Sequence, residues 1–455
     1  MTTQTNNQLK LAFDFIQYTN QSVFLTGKAG TGKTTFLRNL KENSPKRMIV
    51  VAPTGVAAIN AGGVTIHSFF QIPFGPQIPY FYNGEKQSVQ QNGSNKSERI
   101  KRYSREKINI IKSIDLLIID EISMVRADVL DAVDDVLRRF KDRTKPFGGT
   151  QLLMIGDLQQ LSPIIKEDEW NLLRDFYESC YFFSSRALKQ SNFVSIELTE
   201  VFRQKDIAFI NILNKIRDND IDDDVLQSLN SRFIPDFNFS DDEGFITLTT
   251  HNYQSKQIND KKLNEIKGKL FRFNAEVEGD FPEYIFPSDF TFFVKKGSQV
   301  MFIKNDSSIE KRYYNGKLGV VSDISDDYID VYCREDREEI RVSKAQWENY
   351  RYSIDETTNE INEEVIGRFT HFPLKLAWAI TIHKSQGLTF DKAIIDARLS
   401  FTHGQVYVAL SRCRTLDGIV LSSPLEQSSV ISDKTVLYFT NTIEKNQPGY
   451  EQLEK

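Results

Sequence analysis

The sequence predicts an α/β protein made of two parallel-sheet halves with small inserted subdomains, and three observations carry that prediction. Short apolar runs alternate with helical patterns through the first 165 residues and again after residue 206, which is the pattern of strand–helix–strand units and so of parallel sheets. A glycine-rich segment at residues 27–34 sits between one such strand and one such helix. A block of short strands with polar turns interrupts the second half at about residues 297–366, where a small barrel is expected.

At 455 residues the chain is too long for one ordinary core,. Its apolar share of 40% and charged share of 26% are those of a globular protein,. The first residues lack the basic and apolar regions of a signal peptide, and no run approaches the roughly 18 apolar residues of a membrane span,. The expectation is a cytoplasmic protein that engages no membrane. Cys180, Cys333 and Cys413 are isolated and odd in number, which argues for a reducing compartment and against a bound transition metal. A net charge of −5 excludes a broadly basic nucleic-acid binder, so any nucleic-acid path must be a local channel.

Taken in order, residues 8–19 place Leu9, Ala12, Phe13 and Ile16 at helical spacing, with Gln8 at the start offering the paired donor and acceptor that read an adenine edge,. Residues 22–26 form a short buried strand, and residues 27–34 then match the phosphate loop G-x4-G-K-[ST] without a mismatch,. Gly30 and Gly32 let the backbone around Thr31 and Thr35 curl so that N–H groups and the following helix point at phosphate oxygens,. Lys33 is placed to bridge the β- and γ-phosphates, and the Thr34 hydroxyl to take one position on Mg2+,. The site is therefore one for a nucleotide with Mg2+.

A second strand at 48–52 runs into Pro53, Thr54 and Gly55 and a helix through Ala57, Ala58 and Ile59. From residue 62 to about 95 the composition shifts to Gln, Pro, Gly, Asn and aromatics, read as an insertion projecting from the sheet edge,. Its Thr65, His67 and Ser68, followed by aromatics, suit a phosphate backbone and stacked bases, and equally a loop with its own apolar cluster,. A helical stretch at 98–113 leads to the strand 116–119, which ends in Asp120 and Glu121. In this Walker B arrangement Asp120 holds Mg2+ through water and Glu121 deprotonates the attacking water, with the strand expected beside that of the phosphate loop. Residues 128–140 carry the core stripe of Val129, Leu130, Val133, Val136, Leu137 and Phe140,. The strand 152–155 then delivers Gln160, a neutral amide suited to sensing the γ-phosphate.

Residues 27–34, 52–55 (Ala-Pro-Thr-Gly), 65–68 (Thr-Ile-His-Ser), 120–124 (Asp-Glu-Ile-Ser-Met), 147–149 (Phe-Gly-Gly) and 156–161 (Gly-Asp-Leu-Gln-Gln-Leu) together resemble superfamily 1B helicases of the petite-integration-frequency (PIF) family. The likeness is close to the family's bacterial members, with RecD-type helicases as the family's nearest relatives. The resemblance covers essentially the whole chain. It implies two RecA-like P-loop motor domains, residues 1–190 and 191–455, with a DNA-contacting subdomain inserted at about 64–95 and an SH3-like β-barrel at about 297–366. By the same resemblance Thr54 and Gly55 face DNA.

The second half extends the likeness. Residues 196–204 (Ile-Glu-Leu-Thr-Glu-Val-Phe-Arg-Gln) resemble the motif that starts the second motor domain, where Arg203 faces the γ-phosphate,. The strand 245–248 ends near His251, a position the resemblance turns to nucleic acid. Strands at 300–303, 318–321, 328–332 and 339–342 supply the barrel, and the charge-rich segment 355–364 is expected to be solvated. The second sheet is expected to resume with the run 374–389, whose Thr381, His383, Lys384 and Ser385 crowd one turn able to grip a phosphodiester,. The resemblance directs Gln386 and Gly387 to the nucleotide. Residues 405–414 resemble the last helicase motif, with Arg412 as an arginine finger across a cleft from Lys33,.

The expected catalytic set is thus Lys33, Asp120, Glu121, Gln160, Arg203 and Arg412. The resemblance implies an ATP-dependent helicase moving 5′→3′ on single-stranded DNA, opening duplex, forked and G-quadruplex DNA in repair, recombination and telomere maintenance, with a monomer as the basic unit. A P-loop kinase or remodelling ATPase would explain residues 1–165 and leave the second half idle. A non-hydrolysing binding module would leave Glu121 and Arg412 without a role.

Overall fold

The computed structural model describes residues 7–79, 81–82, 85–86, 103–204, 206–235, 237, 244–308, 310–354, 361–396, 403–445, 448–449 and 451. The first lobe opens with α1 (Asn7–Tyr18), β1 (Ser22–Gly27), α2 (Lys33–Asn43), β2 (Met48–Ala52), α3 (Gly55–Ala61), β3 (Val64–Thr65) and α4 (Ile66–Phe70). A short hairpin of β4 (Phe81–Tyr82) and β5 (Glu85–Lys86) precedes α5 (Arg105–Ser113), β6 (Leu116–Ile119), α6 (Ala127–Phe140), β7 (Gln151–Ile155), α7 (Glu167–Leu173), α8 (Arg186–Lys189) and β8 (Phe193–Leu198).

Six of these strands form one sheet in the order β3-β2-β6-β7-β1-β8, with every neighbouring pair parallel. Because side chains alternate along a strand, each strand feeds two cores. Phe24, Leu117, Ile119, Leu152 and Met154 face one, while Val23, Leu25, Leu116, Ile118, Leu153 and Ile155 face the other. Such two-sided burial explains why these strands read as unbroken apolar runs.

The second lobe begins with α9 (Ile207–Arg217), α10 (Asp223–Asn230), β9 (Ile246–Thr249) and α11 (Asn252–Glu265). The inserted block then supplies β10 (Phe271–Asn274), β11 (Glu276–Gly279), β12 (Thr291–Val294), β13 (Gln299–Phe302), β14 (Leu318–Ile324), β15 (Tyr328–Cys333), β16 (Glu338–Ser343), β17 (Ala345–Ile354), β18 (Ile361–His371) and β19 (Leu374–Leu376). The lobe resumes with β20 (Ala379–Thr381), β21 (Ala393–Ile395), α12 (Gln405–Leu410), β22 (Ile419–Leu421) and α13 (Lys434–Lys445). Its parallel sheet has the order β20-β9-β21-β22. Among the described residues no helix is long and apolar enough to cross a membrane.

Five expectations change. The first sheet runs past residue 190, because β8 pairs with β1 along all six of its residues. The chain also does not stay in the second lobe to its end: Val436 and Ile443 of α13 are buried in the first lobe's core, and Phe439 stacks on Phe183 at 4.2 Å. Residues 64–70 are not a projecting insertion, since β3 is a sheet strand and Ile66, Phe69 and Phe70 are core; of the remainder up to residue 95, residues 80, 83–84 and 87–95 lie outside the described residues. The β-rich block runs from 271 to 376, wider than 297–366, and falls into three antiparallel sheets, two sharing the core of Phe302, Val331 and Phe372 and the third, β11-β18-β17, packing with Trp347 and Phe369. Finally, the apolar run from 374 is cut in two: β19 pairs antiparallel with β13 in the inserted block, whereas β20 pairs parallel with β9. The charge-rich segment expected to be solvated lies outside the described residues over 355–360, and its last residues enter β18.

Candidate active site and nucleic-acid face

The phosphate loop leaves β1 and enters α2 through Gly30 and Gly32, both with φ in the left-handed region, at 82° and 91°. Gly30 has a second constraint, because a Cβ there would stand 2.5 Å from the Cβ of Arg203. The Phe202 N–H donates to the Gly30 carbonyl at 2.9 Å. Arg203 therefore lies on the segment between β8 and α9, wrapped over the loop, rather than within the second lobe. Lys33 donates to the carbonyls of Gly27 (2.6 Å) and Lys28 (3.0 Å), and burial lowers its pKa against the opposing pull of Asp157, Glu121 and Asp120. Thr31 is buried and bonds back to the Lys28 carbonyl at 2.9 Å, while Thr34 and Thr35 are exposed at the start of α2.

The Walker B strand β6 is not next to β1; β7 lies between them. Asp120 and Glu121 still reach the loop, because all three strands point their carboxyl ends the same way. Glu121 takes a left-handed φ of 52°, a conformation costing about 1–2 kcal/mol for a residue with a Cβ. Burial pushes its carboxyl up to about 8, helped by the adjacent Asp120, which burial raises to about 6. Both carboxylates are thus poised for a nearby cation. Thr34 and Asp120 give one hydroxyl and one carboxylate, which fits Mg2+, an ion that takes few protein ligands and leaves the rest to phosphate and water.

Among the described residues, several contacts cross from the second lobe. Gln386 Nε2 donates to Glu121 Oε2 at 2.8 Å. The Ala29 N–H donates to the Tyr407 hydroxyl at 3.4 Å, and Lys28 Nζ donates to Asn214 Oδ1 at 2.7 Å. Arg217 of α9 lies between Asp157 and Glu197, at 3.6 and 3.3 Å. Gln160 is buried after β7 and donates through Nε2 to Asp157 Oδ2 at 2.9 Å. Arg412 is 1% exposed and donates to Val408 and Ser411 of its own lobe, at 2.9 and 2.8 Å. Burial, then the Arg203 charge, lowers its pKa to about 9. Arg203 donates to the carbonyls of Ser411 and Gly387 at 3.4 Å each. Gln8 accepts from the Thr199 N–H and hydroxyl at 3.1 and 3.2 Å.

Lys28, Asp157, Asn214, Arg217 and Tyr407 were not among the expected site residues. Lys28, Asp157 and Tyr407 lie inside motifs already singled out, but Asn214 and Arg217 look in sequence like the solvated face of a helix.

On the prospective nucleic-acid face, Thr54 and Thr65 cap α3 and α4 by accepting from Ala57 N–H and Ser68 N–H, each at 3.2 Å. Gly55 begins α3. His67 stacks on the exposed Phe74 with ring centroids 4.9 Å apart, and burial and Arg126 keep its pKa low. Ser68 is exposed. In the second lobe, His251 opens α11 with Nδ1 2.8 Å from the Thr250 hydroxyl. Burial, then the charge of nearby His251, lowers the His383 pKa. Ser385 corrects its expectation: fully buried, its hydroxyl donates to the Ile382 carbonyl at 2.7 Å, so it builds the turn. Thr381 is also buried and accepts from the Lys384 N–H at 3.3 Å. That leaves Lys384 exposed and His383 half-buried on the turn's outer side.

Comparison with known proteins gives a consistent picture. Residues 4–227 match the PIF1-like helicase family. The chain is 31% identical over 408 residues to the ATP-dependent DNA helicase Pif1 of Campylobacter jejuni, covering 86% of each chain. It spans only 55% and 62% of the length of the longer PIF1 helicases of Candida albicans and human. Among solved structures, Bacteroides Pif1 in complex with ADP-AlF4 is 41% identical, with a TM-score of 0.86 and 96% of each chain covered. The same protein bound to single-stranded DNA is 42% identical over 98% of each chain, with a TM-score of 0.67.

Proposed function

Because the chain belongs to the PIF1-like helicase family, we propose that it is an ATP-dependent DNA helicase, hydrolysing ATP in response to single-stranded DNA and separating duplexes as it moves. Its two parallel-sheet lobes are RecA-like P-loop motor domains. One observation carries the reading: Gln386, two residues beyond Lys384, donates across the cleft to Glu121. The turn offered to a DNA phosphate and the carboxylate offered to the attacking water are thus mechanically one unit.

In this reading ATP lies in the loop of residues 27–34, with Gln8 at the adenine and Lys33 on the β- and γ-phosphates. Thr34 and Asp120 would hold Mg2+, which would neutralise phosphate charge when bound. Glu121, once ionised, takes a proton from the attacking water while Gln160 orients it. Arg203 and Arg412 leave their carbonyl partners in the second lobe for the γ-phosphate as charge builds there. A buried guanidinium satisfied only by neutral carbonyls gains most from an anion, so nucleotide draws the lobes together. Opening after hydrolysis shifts His251, His383 and Lys384 relative to Thr54, Gly55, His67 and Ser68, and this displacement moves the chain along the strand.

Several finer features belong to the same proposal: 5′→3′ movement, action on forked and G-quadruplex DNA, a monomer as the working unit, and a cytoplasmic location. The lower TM-score to the relative holding single-stranded DNA supports a DNA-free arrangement of this chain. The test measures ATP hydrolysis with and without oligothymidine, then unwinding of 5′-tailed and 3′-tailed duplexes. DNA should raise turnover, and only the 5′ tail should support unwinding. Lys33→Ala should lose both activities and keep its DNA affinity. Equal hydrolysis with and without DNA would remove the motor reading.

A further inference from the structure

We propose that Arg217 is a positioning residue for ATP hydrolysis: from the second lobe it fixes Asp157, and through Asp157 it sets the amide of Gln160, so that the sensor is aligned only when the lobes are closed. The inference rests on the ATPase reading above and assigns a role to a residue outside the expected site.

The geometry is a chain of three groups across the cleft. Arg217 ends α9, with its side chain 3% exposed and Nη2 3.6 Å from Asp157 Oδ1. The Asp157 side chain is 1% exposed. Its Oδ1 accepts the Gln159 N–H at 3.2 Å, and its Oδ2 accepts Gln160 Nε2 at 2.9 Å. An ionised carboxylate only accepts hydrogen bonds, so it selects the nitrogen end of the Gln160 amide. The oxygen end is thereby turned the other way. An amide presented by its oxygen serves a donor, and at the γ-phosphate the donor available is the attacking water.

The contact depends on closure, because the chain's halves supply its two ends. A buried carboxylate needs a cation or loses its charge. Arg217 supplies one from the second lobe, and Glu197 on β8 shares it at 3.3 Å. On the same face of α9, three residues earlier, Asn214 holds Lys28 of the phosphate loop. One helix therefore engages the loop and the sensor together, and when it withdraws Asp157 no longer has the guanidinium that holds it in place.

The test uses the full chain with saturating oligothymidine and follows kcat and KM for ATP in the wild type, Arg217→Lys, Arg217→Met, Gln160→Ala and the Arg217→Met/Gln160→Ala double variant. Arg217→Met should lower kcat about 10- to 100-fold at nearly unchanged KM, as with outer partners that orient reactive side chains elsewhere. Arg217→Lys should recover part of that loss. In the double variant the two losses should not multiply, since either one already breaks the same path. Multiplying losses with an active wild type would overturn the relay and leave the helicase reading intact, as would an unchanged kcat in Arg217→Met. A wild type without DNA-stimulated hydrolysis would overturn both. If Arg217→Met does not fold, Asp157→Asn replaces it in the same cycle, because an amide at 157 no longer selects the nitrogen end of Gln160.

Discussion

At Glu121 three separate pressures meet: a left-handed backbone, a carboxyl drawn away from water and a carboxylate neighbour. Burial, then the adjacent Asp120, hold its acid form to about pH 8. Since this value lies above the ordinary 4.5, the protonated group binds better in the folded state. Its stabilising contribution is full below about pH 4.5 and is lost as pH rises through about 8. The unfolding midpoint of the free chain should therefore fall between about pH 6 and about pH 8.5, and Glu121→Gln should flatten that slope, because the amide does not titrate. Calorimetry across this range decides the matter, and a wild-type slope no steeper than the variant's would contradict it. Strain and desolvation gathered at one side chain are typical of a group whose task begins when a cation arrives.

Elements carry the communication that single residues begin. The helix α12 starts at Gly404, whose φ of 78° and tight setting leave no space for a side chain: a Cβ there would fall 1.8 Å from the Gln160 carbonyl oxygen. The preceding His403 donates from Nε2 to the Leu158 carbonyl at 3.0 Å and accepts the Asp433 N–H on Nδ1 at 3.1 Å. Gly404→Ala should thus push α12 away from the sensor strand, lowering DNA-stimulated turnover about tenfold or more through a small misplacement of reacting groups. Gly75→Ala is the comparison, since Gly75 has a φ of 96° and a Cβ there would meet nothing within 4 Å; it pays backbone strain alone. Equal melting temperatures and equal turnover in the two variants would contradict the argument. The strands ending in the phosphate loop, Asp120 and Gln160 were legible in the sequence because apolar runs and turn residues are local signals. The pairing of β8 with β1, the division of β19 from β20, and the return of α13 to the first lobe were not, since each is decided by residues distant along the chain. Arg217 and Asn214 stayed hidden for the same reason: only the opposite lobe distinguishes them from a solvated face.

For the whole molecule, the inserted block decides whether DNA has access. The turn carrying Tyr284 and Ile285 rests on the start of α3, close enough that a Cβ on Gly55 would meet the Ile285 Cα at 3.3 Å. Tyr284 also meets Phe74 edge-on at 6.4 Å, and Phe74 in turn stacks on His67. Ile59 of α3 packs with Ile285, Phe286 and Phe369 beneath this contact. The block therefore covers the part of the first lobe that holds Thr54, Gly55 and His67, the positions proposed to face the strand. Two aromatic side chains there, Phe74 at 76% and Tyr284 at 61%, remain exposed, so the contact is an edge rather than a sealed core and is cheap to part. Single-stranded DNA running from these residues to His383 and Lys384 must lift the block from α3, whereas nucleotide, bound on the far side of β2, need not. Solution scattering of the full chain should accordingly change when oligothymidine is added, beyond the change that ADP and aluminium fluoride produce by drawing the lobes together. A profile that ignores saturating DNA would place the strand on a path that leaves the contact between Tyr284 and α3 intact.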